Sequence, residues 1–312
     1  MTATTAIPQT GDIRPDRQGR LTVDSEGNSV VWQAFGTGDH TLLALHGGPG
    51  VTGYLGTLAR LAGPDRTVVI YDQLGSGASD TPADPAAWTV DRCVDQVEAV
   101  REGLGLGRVD IYGHSWGGWL GQSYVLAHPE QVNALVLSGT SASIPEYLAN
   151  IQALRVALGP VKHRVLLRAE QTRNFDDPDY VSVIRELNAR HLRRAWPFTI
   201  EKSEREIDEL LGSGVLTVGP AYERMWGPNE FLCTGPLLDW DVTDEIHRIA
   251  APTLIMCGLH DEVTVACSQT LADAIPDNEF VIFGNSSHMN MYEREANLYF
   301  AAIDDFLRRH AP

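Results

Sequence analysis

The sequence predicts an α/β fold: a mostly parallel sheet with helices on both faces, interrupted by an inserted helical segment. Three observations carry this. Short apolar runs rich in β-branched residues, closed by Gly, Asp or Ser, recur through the first half, as buried parallel strands do. Helical periodicity alternates with them, which places helices over the sheet. From about residue 142 to 235 the helical pattern continues without a strand, and strand signals then resume.

The strand runs are "TLLALHG" (41–47), "RTVVIYD" (66–72), "RVDIYGHS" (108–115) and "VNALVLSG" (132–139). Between the second and third, "VDRCVDQVEAVREGLGL" (90–106) puts Val90, Val94, Val97 and Val100 at helical spacing and ends in glycines, a helix stop. In the insertion, Tyr147, Ile151, Leu154 and Leu158 form one stripe. Tyr180, Ile184, Leu187 and His191 form another after "DDPD". A third segment opens with Ser203 three residues before Glu206, a capping-box spacing. Its sequence "EKSEREIDELLG" (201–212) reads as a solvated helix face. "PTLIMCG" (252–258) and "EFVIFGNSSH" (279–288) restore the sheet, and a helix carrying Ala296, Phe300, Ile303 and Leu307 closes the chain. The expected organisation is a core of residues 1–141 and 236–312 with a helical cap, or lid, over 142–235.

With 312 residues and 43% hydrophobic content, the chain can bury a full core without metal or disulfide staples. A net charge of −17 argues against nucleic acid or an anionic membrane as partner, since both would be repelled. Cys93, Cys233, Cys257 and Cys267 have neither zinc-ligand spacing nor the density of a secreted disulfide scaffold, and read as reduced thiols. The opening "MTATTAIPQTGDIRPDRQG" lacks a basic stretch followed by an apolar one, and no apolar run approaches the roughly 18 residues of a membrane span. A cytoplasmic location is expected.

The chemistry centres on "GHSWGG" (113–118), between the strand "VDIY" and the helical "WLGQSYVLA". Glycines around Ser115 allow a strand to turn sharply into a helix, holding the hydroxyl on a strained bend above the sheet. A serine needs a base to take its proton and a carboxylate to orient that base, in chain order Ser, acid, His on such a fold. Asp261 follows one late strand and His288 the other, where catalytic groups collect on open α/β sheets. His288 is selected from ten histidines by position. His40, His128, His163, His191, His247 and His310 fall away from strand ends, His260 is too close to Asp261, and His46 and His114 belong to other motifs. "HGGPG" (46–50) ends a strand with exposed N–H groups, so Gly48 and Trp116 N–H are the expected oxyanion hole; an ordinary tight turn would use the same glycines. Asp72 in "YDQLGSG" reads as a loop organiser. In "GLHDEV" (258–263) the adjacent Asp261 and Glu262 point to opposite sides of an extended chain, so the two acids are expected to serve different surfaces.

Together "HGGPG", "YDQLGSGASD" (71–80), "GHSWGG", "GLHDEV", "RMWGPNEF" (224–231) and "DWDVTDEI" (239–246) resemble the proline iminopeptidase (prolyl aminopeptidase) branch of the α/β-hydrolases, from about residue 25 to 310. That branch includes the tricorn-interacting aminopeptidase, and relatives in macrolactam biosynthesis that remove an aminoacyl cap from a polyketide intermediate. The resemblance implies an α/β-hydrolase fold and a serine hydrolase releasing an N-terminal aminoacyl unit from a peptide or amide. It also implies that Glu230 and Glu262 bind the substrate's free amino group. Glu230 lies in an apolar setting where an unpaired carboxylate is costly, so it needs a cation; Arg224 is the alternative to an incoming ammonium. No metal or organic cofactor is expected. A plain esterase has no use for the paired glutamates, and epoxide hydrolases or haloalkane dehalogenases would carry Asp at 115. A non-catalytic binder on the same fold is a further alternative.

Overall fold

In the computed structural model, which describes residues 13–311, eight strands form one sheet. They are β1 (Arg17–Thr22), β2 (Ser29–Phe35), β3 (His40–Leu45), β4 (Arg66–Asp72), β5 (Val109–His114), β6 (Val132–Ser138), β7 (Thr253–Gly258) and β8 (Asn278–Phe283). Their spatial order is β1, β2, β4, β3, β5, β6, β7, β8. From β4 to β8 the pairings are parallel, while β2 runs antiparallel to β4 and β1 to β2. The six apolar runs read from the sequence are the six parallel strands. The antiparallel pair was not expected, because β1 ("RQGRLT") is a polar edge strand with exposed and half-buried positions. The first twelve residues of the expected core, and most of the opening segment read for a leader, lie outside the described residues.

Strand geometry sends successive side chains to opposite faces, and β3 illustrates the result. Leu43 and Leu45 enter one core with Val97 and Val100, whereas Leu42 and Ala44 enter the other with Leu58 and Tyr299. The first core is closed by helices α1 (Val90–Gly103) and α2 (Trp116–Ala127). Between β6 and β7 the chain builds α3 (Ile144–Ala157), α4 (Pro160–Thr172), α5 (Pro178–Leu187), α6 (Ile200–Gly212) and α7 (Pro220–Met225), followed after β7 by α8 (Val265–Ala274) and at the end by α9 (Ala296–Arg309). Phe300, Ile303 and Leu307 on α9 close the second core. Among the described residues no helix is long and apolar enough to cross a membrane, and all four cysteines are free thiols.

Local sequence sets the helix starts. Thr89, Ser143 and Asp177 each accept a first-turn N–H, and α5 begins on the proline of "DDPD". The capping box expected at Ser203 is corrected: Thr199 caps α6, accepting from Lys202 N–H. Ser203 lies one turn inside, buried, with its hydroxyl donating to the Thr199 carbonyl and accepting from Ala195 N–H. The solvated face expected for 201–212 is also more engaged than its composition suggests, since Glu206 pairs with Arg193 and Asp208 with Arg185.

Two consequences place the site. Because β3 and β5 are neighbours, the loop 46–50 and Ser115 emerge side by side at the carboxyl edge of the sheet, where the strand order reverses. Two-residue strands Val51–Thr52 and Thr217–Val218 then pair antiparallel, fastening that loop to the segment between α6 and α7.

Candidate active site

Ser115 sits between β5 and α2 with φ 56° and ψ −125°, a conformation few non-glycine residues adopt. The glycines make the bend possible by close approach: a Cβ on Gly113 would fall 2.3 Å from the Gly117 carbonyl oxygen, and one on Gly117 would fall 2.0 Å from that of Leu45. The bend is pinned by Ser115 N–H donating to the Ser138 carbonyl (3.0 Å) and by the Thr140 hydroxyl donating to the Ser115 carbonyl (3.0 Å).

Asp261 and His288 follow β7 and β8, as their positions suggest, and they meet. His288 Nδ1 donates to Asp261 Oδ1 at 2.7 Å, and both residues are buried. Asp261 Oδ1 also accepts Val263 N–H (2.8 Å), which fixes the carboxylate on its loop. The His288 loop is held from outside the sheet. His288 and Met289 N–H donate to the carbonyls of His191 and Leu192, and buried Glu293 accepts from the Ser287 N–H and hydroxyl and from Arg194 N–H. His191 Nδ1 also reaches the His260 carbonyl (3.0 Å), so one segment braces both loops.

Glu262 departs from the expectation of two acids serving two surfaces. Residues 261–264 form a bend rather than an extended strand, and Glu262 Oε1 lies 3.7 Å from His288 Nε2, so both acids face one imidazole from its two nitrogens. Glu262 is 1% exposed and its Oε2 has no hydrogen-bond partner. Burial holds its carboxyl well above the usual range, against the pull of His288. Glu230 rides a tight turn closed by Asn229, whose Oδ1 accepts Phe231 N–H (3.0 Å) while its carbonyl accepts Leu232 N–H (3.2 Å). Glu230 keeps partial exposure and lines the cavity in front of Ser115. Burial raises its carboxyl too, opposed by His288 and the Tyr222 hydroxyl. Arg224 is no partner for it: that guanidinium stacks 4.9 Å above Trp88 and donates to the Pro82 carbonyl. Among the described residues no lysine or arginine pairs with Glu230 or Glu262. On His288 burial disfavours charge, but Asp261, Glu262 and Glu230 outweigh it and push the imidazole up to about 10.

Gly48, with φ 108°, lies in the loop after β3 and lines the same cavity as Ser115, and Trp116 follows Ser115 at the first position of α2. Among the described residues neither N–H meets a protein acceptor. Gln73, which sequence reading passed over, ties the two pieces together: its side-chain N–H₂ donates to the His46 carbonyl (3.1 Å) and its oxygen accepts the Trp116 indole N–H (2.9 Å). Asp72 does organise its loop, accepting Ala78 N–H. A second buried chain was also unread. Gly47 N–H donates to the Tyr54 hydroxyl (2.7 Å), Tyr54 meets His114 Nδ1 (2.9 Å), and His114 Nε2 meets the His288 carbonyl (3.0 Å). The carbonyl can only accept and burial keeps His114 neutral, so Nε2 carries the proton and Tyr54 donates to Nδ1. Only the adjacency of His114 to Ser115 hinted at it.

Ser115, Gly48, Glu230, Tyr222 and His288 open onto one cavity of about 320 Å³. Its outer wall is aliphatic, formed by Leu192, Ile207, Leu210, Leu211, Leu216 and Val218.

Residues 40–295 match the family model described as alpha/beta hydrolase fold. The chain is 34% identical over 273 residues to a proline iminopeptidase of Saccharolobus solfataricus, covering 86% of this chain and 85% of that one. It is 32% identical over 287 residues to that of Heyndrickxia coagulans, covering 91% and 97%. Among solved structures, proline iminopeptidase from Mycobacterium smegmatis superposes with a TM-score of 0.79 at 30% identity, covering 94% and 98%, and VinJ with 0.83 at 30%, covering 95% and 100%. With its sheet order, its strained serine and its likeness over nearly the whole length, the chain belongs to the proline iminopeptidase family of α/β-hydrolases.

Proposed function

We propose that this chain is a serine hydrolase that releases an N-terminal prolyl or small aminoacyl residue from a peptide or amide through an acyl-enzyme. The observation that carries the reading is a pair of enclosed glutamates, Glu230 and Glu262, which no lysine or arginine of the described residues pairs with, beside a serine–histidine–aspartate set. Ser115 Oγ attacks the first carbonyl as His288 Nε2 takes its proton, and Asp261 holds the Nδ1–H tautomer. Gly48 and Trp116 N–H receive the oxyanion; one such donor is worth about 10² to 10³ in rate. His288 returns the proton to the leaving amine, then activates the water that frees the acyl group. Glu230 and Glu262 hold the substrate ammonium, which sets the carbonyl against Ser115. Residues 142–235 act as a cap that closes the site behind the first residue, which favours exopeptidase action, and residues 1–141 and 236–312 form the core.

A panel of aminoacyl p-nitroanilides (Pro, Ala, Gly, Leu and a β-amino acid) with N-acetylated controls tests this. Cleavage confined to free-amine members is expected, and equal cleavage of acetylated ones would reject it. Labelling of Ser115 by a fluorophosphonate separates enzyme from binder: folded protein that does not react is a binder. The aliphatic outer wall favours a second reading, a pathway-specific amidase that removes an aminoacyl group from an apolar polyketide or macrolactam amide, and the likeness to VinJ is consistent with it. Preference for the β-aminoacyl anilide would support that reading.

A further inference from the structure

His288 is surrounded by acids on more sides than its orientation requires. Asp261 satisfies Nδ1 at 2.7 Å, yet Glu262 Oε1 stands 3.7 Å from Nε2, the nitrogen that must be empty to accept the serine proton. Glu230 lines the same cavity as His288, and its charge adds to theirs on the imidazole. Arg193 also lines the cavity, but its guanidinium is engaged by Glu206 at 3.1 Å and by the Tyr292 carbonyl. The His114 ring, centred 4.6 Å from that of His288, is kept neutral by burial, and so is His191 on the bracing segment. Tyr147 and Tyr222, near the glutamates, hold their protons, and Ser115 is uncharged. Among the described residues the cation left to answer these acids in the empty site is a protonated His288, since Arg193 is committed to Glu206, and in that state the imidazole is no base.

We propose that the substrate's ammonium group switches on its own general base: by taking Glu262 and Glu230 it displaces the proton these carboxylates hold on His288, freeing Nε2 to accept the Ser115 proton. The inference rests on the amine-binding role proposed above and adds to it that Glu262 sets specificity through His288 as well as through contact. Charge balances across the step. One ammonium enters, the His288 Nε2–H bond breaks, and that proton leaves through the cavity to buffer, so the cluster keeps the same net charge. In acylation the Ser115 O–H bond breaks as an Nε2–H bond re-forms. The ammonium belongs to the acyl part and stays in place through deacylation, so the base remains available for water; departure of the product lets His288 recapture a proton. Ester or amide substrates without an amine meet an enzyme whose base is occupied. Discrimination then appears in kcat as well as in KM.

The test uses the full chain and p-nitrophenyl acetate, an ester with no amine, over a range of pH with and without ethylammonium chloride. Alkylammonium ions stay charged up to about pH 10. The expected result is an ester profile whose acid limb lies well above the ordinary imidazole range. Saturating ethylammonium moves that limb down by about one pH unit or more, raising the rate at pH 7 about tenfold, while matched sodium chloride does not. Glu262→Gln moves the limb in the same direction with no amine present, even as it lowers cleavage of free-amine anilides. Simple anchoring predicts an ester profile indifferent to both. The switch is overturned if the wild-type limb already lies in the ordinary range, or if ethylammonium inhibits without moving it. If wild type still prefers free-amine anilides to acetylated ones in that case, the proposed function stands and the switch alone falls. If that preference is missing, the amine-binding reading falls with it. Should Glu262→Gln fail to fold, the ethylammonium arm on wild type decides.

Discussion

Two interior glutamates of this molecule sit in contrasting company. In the helices between β6 and β7, Glu170 on α4 receives Arg155 of α3 through both carboxylate oxygens at 2.6 Å, with side chains 16% and 7% exposed. At the sheet edge, Glu262 is more deeply buried, has an oxygen with no partner, and has an imidazole rather than an arginine beside it. The chain therefore has arginine in its repertoire for a structural acid, and uses it where structure is the purpose. An acid kept in the interior without one costs stability, and its retention points to a cation that arrives from outside. The two sites are joined: Arg155 Nη1 also donates to the Phe231 carbonyl (3.4 Å), so the ion pair braces the turn that carries Glu230.

The largest expected effect breaks the comparison at its open end. Glu262→Gln and Glu230→Gln should each lower kcat/KM on free-amine anilides by about 10² or more, the scale for truncating one partner of a buried charge pair. Their melting temperatures should hold or rise, because burial disfavours both carboxylates and neither has a lysine or arginine that the substitution would strand. Activity and melting temperature falling together would mean these acids are structural after all. Glu170→Gln should do the reverse. It strands Arg155 and costs about 3 kcal/mol in urea unfolding, yet leaves the ratio of anilide to ester activity unchanged. A shifted ratio would show that the bracing of the 230 turn depends on Glu170 as well.

Much of this contrast was legible in the sequence, and the part that was not has a physical reason. The parallel strands announce themselves because both faces are buried, so "TLLAL" and "TLIMCG" are apolar throughout. Glycines at 113 and 117 mark the elbow because no side chain fits there. β1 gave no such signal, since an edge strand with exposed and half-buried positions reads like loop. The capping spacing at Ser203 misled because Thr199, four residues earlier, offers the same chemistry. The bracing of His288 by 191–192 runs through backbone carbonyls, which leave no residue signature. The pairing of Asp261 and Glu262 on one imidazole was missed because alternation of faces holds in extended chain, and these residues lie in a bend.

The smallest expected effect sharpens the comparison through pH. Glu98 resembles Glu170: hydrogen bonds from Arg101, and one from Tyr124, hold its carboxyl down at about 2 despite some burial. A carboxyl lowered in the fold adds stability that is complete above its unfolded value of about 4.3 and is lost as pH falls through the folded one. Glu262 is raised by burial, so its sign is opposite: the folded state binds its proton more tightly, and stability drains away as pH climbs above the same unfolded value. Urea midpoints measured from about pH 3 to 8 should therefore diverge. The deficit of Glu98→Gln relative to wild type should be full at neutrality and shrink in acid. The gain of Glu262→Gln should be absent in acid and grow toward neutrality. Two variants tracking wild type in parallel would mean that neither carboxyl is perturbed by its surroundings, and the distinction between a partnered and a waiting acid would have no energetic content.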